Sequence, residues 1–118
     1  MPKIRCAGPT EYLFYMSLHY ADPTWNARFE TDYPGYYRCP FIERKPEKGN
    51  VWKLDLVFPA CSSHGVYTLT HWAVWMADGD GRIVMYGALA PAIMATSRIR
   101  PLVKQMIIGE FSWAPHKA

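Results

Sequence analysis

The sharpest hydrophobic pattern in the chain runs from Val51 to Phe58, where Trp52, Leu54, Leu56 and Phe58 are apolar and Lys53 and Asp55 fall on the opposite side. Alternation with a period of two is the signature of a half-buried β-strand. Similar runs cover Tyr12–Tyr20, closed by Ala21-Asp22-Pro23, and Tyr36–Ile42, entered through Pro34-Gly35. Pro40 lies inside the second of these, and because proline donates no ladder hydrogen bond it predicts an edge strand or a bulge. Val66–Met76 and Ile83–Leu89 flank Asp78-Gly79-Asp80-Gly81. Those turn residues tolerate positive φ, so the two runs are expected to pair as an antiparallel hairpin. Lys104–Trp113 forms the last run, with Gly109 as an expected bulge, and Pro91–Pro101 has room for a short helical turn. No segment shows helical periodicity. The expected fold is all-β: a single-domain antiparallel β-sandwich or jelly-roll-like barrel with short loops and little or no helix. It would span residues 1–118, with 1–10 as an irregular N-terminal arm.

Most strands do not alternate as cleanly as Val51–Phe58. On the first, Tyr12, Phe14, Met16 and Leu18 share one face, yet Leu13 and Tyr15 sit on the other; on the fourth, Trp72 and Val74 oppose Leu69, Ala73 and Trp75. A two-layer sandwich buries one face of each sheet, so apolar residues on both faces call for a second covering surface. Contact with other protein chains is the expected cover, with Tyr15, Trp25, Trp72 and Trp75 as the candidate interface residues.

Composition sharpens that expectation. Half of the 118 residues are apolar, 15% are aromatic and only 19% are charged, against about 25% charged in an ordinary soluble domain. The net charge of +3 comes from basic residues scattered along the chain, and the densest stretch, Glu43 to Lys48, mixes acids with bases. A nucleic-acid binder concentrates its basic residues, so no nucleic-acid partner is expected. No run is long and apolar enough for a membrane span, and no leader is read near Met1, so the expected site of synthesis is the cytoplasm. Cys6, Cys39 and Cys61 are odd in number and widely spaced, which reads as packed free thiols.

Candidate chemistry is sparse. Cys61-Ser62-Ser63-His64 offers two zinc-type ligands, but a structural zinc site takes four and no second pair stands at metal spacing. Cys61 with His64 or His71 would make a nucleophile–base pair, with no motif around it. Asp78-Gly79-Asp80-Gly81 opens like a calcium loop and then lacks the later acidic positions, including the closing glutamate. The five tryptophans suit packing or contact surfaces, with sugar stacking as a rival use. No catalytic, metal or cofactor site is expected.

Several segments in order resemble one family. Leu18-His19-Tyr20-Ala21-Asp22-Pro23 is similar to the L-H-T-A-D-P segment of small tailed-bacteriophage virion structural proteins. Tyr36-Tyr37-Arg38 matches the family's Y-x-R strand and Phe58-Pro59-Ala60 its F-P-A element. Thr70-His71-Trp72-Ala73-Val74-Trp75 resembles its T-H-F-A-I-F-D strand, and Tyr86-Gly87-Ala88-Leu89 its Y-x-G-x-L pattern. The resemblance runs from about residue 12 to 111. It departs at Met1–Thr10, where Pro2, Gly8 and Pro9 replace a short helix, and at Asp32-Tyr33-Pro34-Gly35, where the family is glycine-rich.

The resemblance implies a non-enzymatic β-sandwich subunit of a phage particle, localised in the virion and present in many copies. Its expected partners are the major capsid protein or tail proteins, and copies of itself. Within that class a capsid decoration (cement) subunit is the first expectation and a tail, neck or fibre component the second. A small glycan-binding β module is the rival from another class. The family carries no catalytic residues to this chain.

Overall fold

The computed structural model describes residues 11–44, 52–76 and 82–107; for Trp52, Lys53 and 105–107 it describes the backbone alone. Six strands and one short 3-10 turn make up its regular structure: β1 (Glu11–His19), the turn Thr24–Asn26, β2 (Cys39–Arg44), β3 (Trp52–Val57), β4 (Tyr67–Met76), β5 (Ile83–Ala95) and β6 (Leu102–Ile107). The protein is all-β. A four-stranded sheet runs β2-β1-β4-β5 and a two-stranded sheet pairs β3 with β6, and every strand pairing is antiparallel.

The core lies between the two sheets. β1 sends Phe14, Met16 and Leu18 into it, β4 sends Leu69, Trp72, Val74 and Met76, and β5 sends Val84, Met85 and Leu89. Leu54, Leu56 and Val103 face them from the small sheet, with Phe58 just past the end of β3. Leu54 and Leu56 are buried while Asp55 and Val57 are exposed, as the alternation predicts. Outside, β3 and β6 set Asp55 opposite Lys104 and Val57 opposite Leu102.

The expected hairpin pairing is present: β4 and β5 run antiparallel, with Trp72 opposite Gly87 and Ala73 opposite Tyr86. Its expected turn, Asp78–Gly81, lies outside the described residues, as do Gly109 and the arm 1–10. Pro40 sits on β2, at one end of the large sheet.

Three expectations need correction. The space given to a helical turn at Pro91–Pro101 is taken first by β5, which continues to Ala95. A tight reversal follows, in which Thr96 and Ile99 exchange backbone hydrogen bonds. Leu69 does not oppose Trp72 and Val74. The β4–β5 register shifts by three residues between Leu69 and His71, with the surplus on β5, and Leu69 is buried in the core cluster. The third correction concerns the outer face of the large sheet, which the chain covers in part with its own residues 20–38.

That cover is built from local hydrogen bonds. Past β1 the chain turns through residues 23–28 and comes back alongside it. The Tyr20 amide donates to the Phe29 carbonyl (3.1 Å), the Arg28 amide to Pro23 (3.0 Å) and the Thr31 amide to Leu18 (2.9 Å). Glu30 thereby bridges His19 on the side of β1 that β2 occupies further back. Tyr33, 2% exposed, anchors the far end, its hydroxyl donating to the Pro59 carbonyl.

Candidate functional site

The β1–β4 register sets Tyr15 opposite Trp75, Ser17 opposite Ala73 and His19 opposite His71, all on the outer face of the large sheet. Ser17 and His19 are both completely buried there. The Trp75 indole Nε1–H donates to Ser17 Oγ (2.8 Å), and Ser17 Oγ lies 2.8 Å from His19 Nε2. His19 Nδ1 lies 2.6 Å from the Arg28 carbonyl oxygen. A carbonyl only accepts, so Nδ1 carries the proton; in the neutral ring Nε2 is then the acceptor and the Ser17 hydroxyl its donor. The result is a directed relay from Trp75 through Ser17 and His19 to the backbone of the covering segment. The Ala73 carbonyl, 3.4 Å from Ser17 Oγ, is an alternative acceptor for the hydroxyl.

Beside this relay sits a charged cluster. Arg38 grips Glu30 with Nε on Oε2 (2.9 Å) and Nη2 on Oε1 (2.8 Å), a two-point guanidinium–carboxylate contact. The Tyr36 hydroxyl donates to Glu30 Oε2 (2.6 Å) and accepts from the Leu18 amide (3.2 Å). The Arg38 guanidinium also stacks 3.9 Å above the Trp75 ring. Trp75 thus supports the covering segment from its ring face while its N–H starts the relay.

These surroundings move the titrations. Burial dominates at His19 and lowers its pKa; Arg38 and His71 push the same way, against the Arg28 carbonyl and Glu30. Burial pushes Glu30 upward, but hydrogen bonds from Arg38 and Tyr36 and the nearby positive charge outweigh it, so its carboxyl ionises below the usual range. Burial, reinforced by Glu30, raises Tyr36, and burial pushes Tyr33 up to about 12.

A serine 2.8 Å from a histidine whose other nitrogen is fixed has the contacts of a nucleophile–base pair. Here neither residue has any exposed surface, and Ser17 Oγ already accepts from Trp75. In this closed arrangement the pair ties the covering segment to the sheet, and a substrate atom has no path to the oxygen.

The outward surface of the same segment is aromatic. Tyr20 is 56% exposed and Phe29 39%, their rings meet edge to face at 5.7 Å, and the Arg28 guanidinium lies 5.1 Å from the Phe29 centroid. The backbone that presents them is left-handed at three non-glycine residues, Thr24 (φ 55°), Ala27 (φ 57°) and Phe29 (φ 61°). Such conformations persist where surrounding contacts hold them, and they cluster at recognition sites.

The four candidate interface residues separate. Tyr15 and Trp75 are half-buried neighbours across β1 and β4. Trp25, also half-buried, stands edge-on to Tyr86 at 5.0 Å, further along the same outer face. Trp72 is 2% exposed and points into the chain's own core, which removes it from the candidate surface. Cys61 bonds its sulfur to Ser63, His64 is exposed and His71 bonds Thr70 Oγ1, so neither histidine is engaged with the thiol set aside above as a nucleophile. Cys39 and Cys61 are free thiols. Among the described residues no three His, Cys, Asp or Glu side chains gather as metal ligands. No helix there is long and apolar enough to cross a membrane.

The Ser17–His19–Trp75 relay and the Glu30–Arg38 pair were missed in the sequence. The available signal was polar Ser17 and His19 on the outer face of β1, a face otherwise apolar at Leu13 and Tyr15. Comparison with family models, with curated proteins and with solved structures finds no match.

Proposed function

We propose that this chain is a non-enzymatic structural protein of a bacteriophage particle, a capsid decoration subunit that works by contact with other virion chains and with copies of itself. The observation that carries the reading is the division of labour on the outer face. The reactive polar groups Ser17 and His19 are consumed inside, while Tyr20, Phe29 and Arg28 stand outward on a shaped backbone. Buried aromatic and arginine anchors account for most of the energy at protein contacts. Apolar area removed from water there contributes about 25 cal/mol per Å2, less the cost of association.

The ordered sequence motifs support the same reading, because their residues meet one another rather than frame a cleft. Tyr36 bonds Leu18, Arg38 stacks on Trp75, and Gly87 faces Trp72. The resemblance therefore rests on residues with packing roles.

Fractionating purified particles into heads and tails and identifying this chain by mass spectrometry tests the proposal. Recovery with the capsid shell is the expected result. Recovery with the tail moves the role to a tail, neck or fibre component, and absence from both overturns the proposal. Rebinding of the Tyr20→Ala, Phe29→Ala variant to stripped particles is expected to weaken at least about tenfold, the loss typical of one anchor residue. Unchanged rebinding would remove this corner from the contact.

A further inference from the structure

The His19 relay joins the covering segment to the sheet through a titratable ring. We propose that His19 is an acid-operated latch: proton uptake at Nε2 releases residues 20–31 from the outer face of the large sheet. In the closed form the neutral ring accepts from Ser17 and donates to the Arg28 carbonyl. A proton on Nε2 removes that acceptor, and the Ser17 hydroxyl must turn toward the Ala73 carbonyl, 3.4 Å away.

The hydrogen bonds can rearrange, but the charge has nowhere to go. His19 has no exposed surface. Across β4 its neighbour is His71, and on the covering segment the facing groups are Glu30, Arg38 and Tyr36. Glu30 is the one carboxylate among them, and it is already engaged by Arg38 at two points and by Tyr36. Arg28 offers the ring only its carbonyl, since its guanidinium lies over Phe29. An imidazolium here lacks both water and a free counter-charge. Lifting the segment hydrates it.

The lowered His19 pKa agrees in sign. The open form binds the proton more tightly than the closed form, so opening grows as pH falls below the ordinary histidine value of 6.5. One linked proton raises the opening equilibrium by at most about tenfold per pH unit.

Hydrogen exchange on the full chain tests the latch through the amides of Thr31 and Leu18, whose bonds to the Leu18 carbonyl and the Tyr36 hydroxyl cross between the covering chain and β1. Between about pH 7.5 and 5, protection corrected for intrinsic exchange should fall severalfold at these amides. The His19 ring, followed by NMR, should titrate below 6.5. His19→Gln should abolish the transition and His71→Gln should retain it. Glu30→Gln removes the attraction that favours the imidazolium, so it should shift the midpoint to lower pH. If His19→Gln fails to fold, the wild-type ring titration and the Glu30→Gln shift decide the matter. Protection that ignores pH, a transition that survives His19→Gln, or a midpoint that rises in Glu30→Gln overturns the latch.

Discussion

Gly87 lies directly against the Trp72 indole: a Cβ built at residue 87 would stand 2.6 Å from Trp72 Cζ2 and 2.9 Å from Cε2. The two residues oppose each other across β4 and β5, and the indole N–H reaches the Ala88 carbonyl at 3.3 Å. The close approach lets the indole lie along the neighbouring strand with its ring sealed in the core. Gly87→Ala should therefore cost about 1–3 kcal/mol, the range for overpacking a filled interior. Urea unfolding checks it, and a neutral result would mean that the Trp72 ring has room to move.

Trp72 and Trp25 should respond differently to truncation. Trp72 is 2% exposed in the core, so Trp72→Ala should lose about 3–5 kcal/mol, enough to unfold much of the population. Trp25 rests half-buried on Tyr86, and Trp25→Ala should cost clearly less. Thermal melts of the two variants side by side give the comparison.

Ser17→Ala leaves two buried groups without their partner, the Trp75 N–H and His19 Nε2. An orphaned buried polar group costs about 1–3 kcal/mol, so this one-atom deletion should destabilise far more than its size suggests. Pairing it with Trp75→Phe should cost less than the sum of the two single changes, as a double-mutant cycle would reveal.

Acid should weaken the whole fold in two stages. His19 has a lowered folded pKa, so its contribution is complete above the unfolded value of 6.5 and declines as pH falls from there. Glu30, also lowered, contributes fully above its unfolded value of 4.5 and loses that contribution as pH falls below it. Both groups act in the same direction. Chemical denaturation across this range should show stability falling with acid, with the lower stage missing in Glu30→Gln.

Burial raises the pKa of the Cys39 thiol, which keeps it protonated and slow to react at neutral pH. Its labelling by a thiol reagent in the folded chain should lag well behind that in denatured chain. Rapid labelling would point to local opening around β2.

Period-two alternation is a local property, and with the turn residues it located the strands approximately, missing the extension of β5 to Ala95. It put Leu54, Leu56 and Phe58 inward, while the Asp78–Gly81 turn residues predicted the β4–β5 pairing and the missing proline donor put Pro40 on an edge strand or a bulge, the first of which the sheet shows. The positional pattern also registered a real feature, the apolar residues on both sides of β1 and β4. Alternation cannot say what lies above a face, because that depends on where distant residues return. Only the tertiary structure brought residues 20–38 against His19 and Trp75, with Glu30 and Arg38 closing on each other eight positions apart. Leu69 likewise lies in the core, beside an irregular stretch of the β4–β5 ladder that counting in twos does not foresee. Ser17 and His19 looked like ordinary polar positions in the sequence. Their pairing became visible once a strand had set both on one buried face and the folded-back chain had supplied the Arg28 carbonyl that fixes the ring.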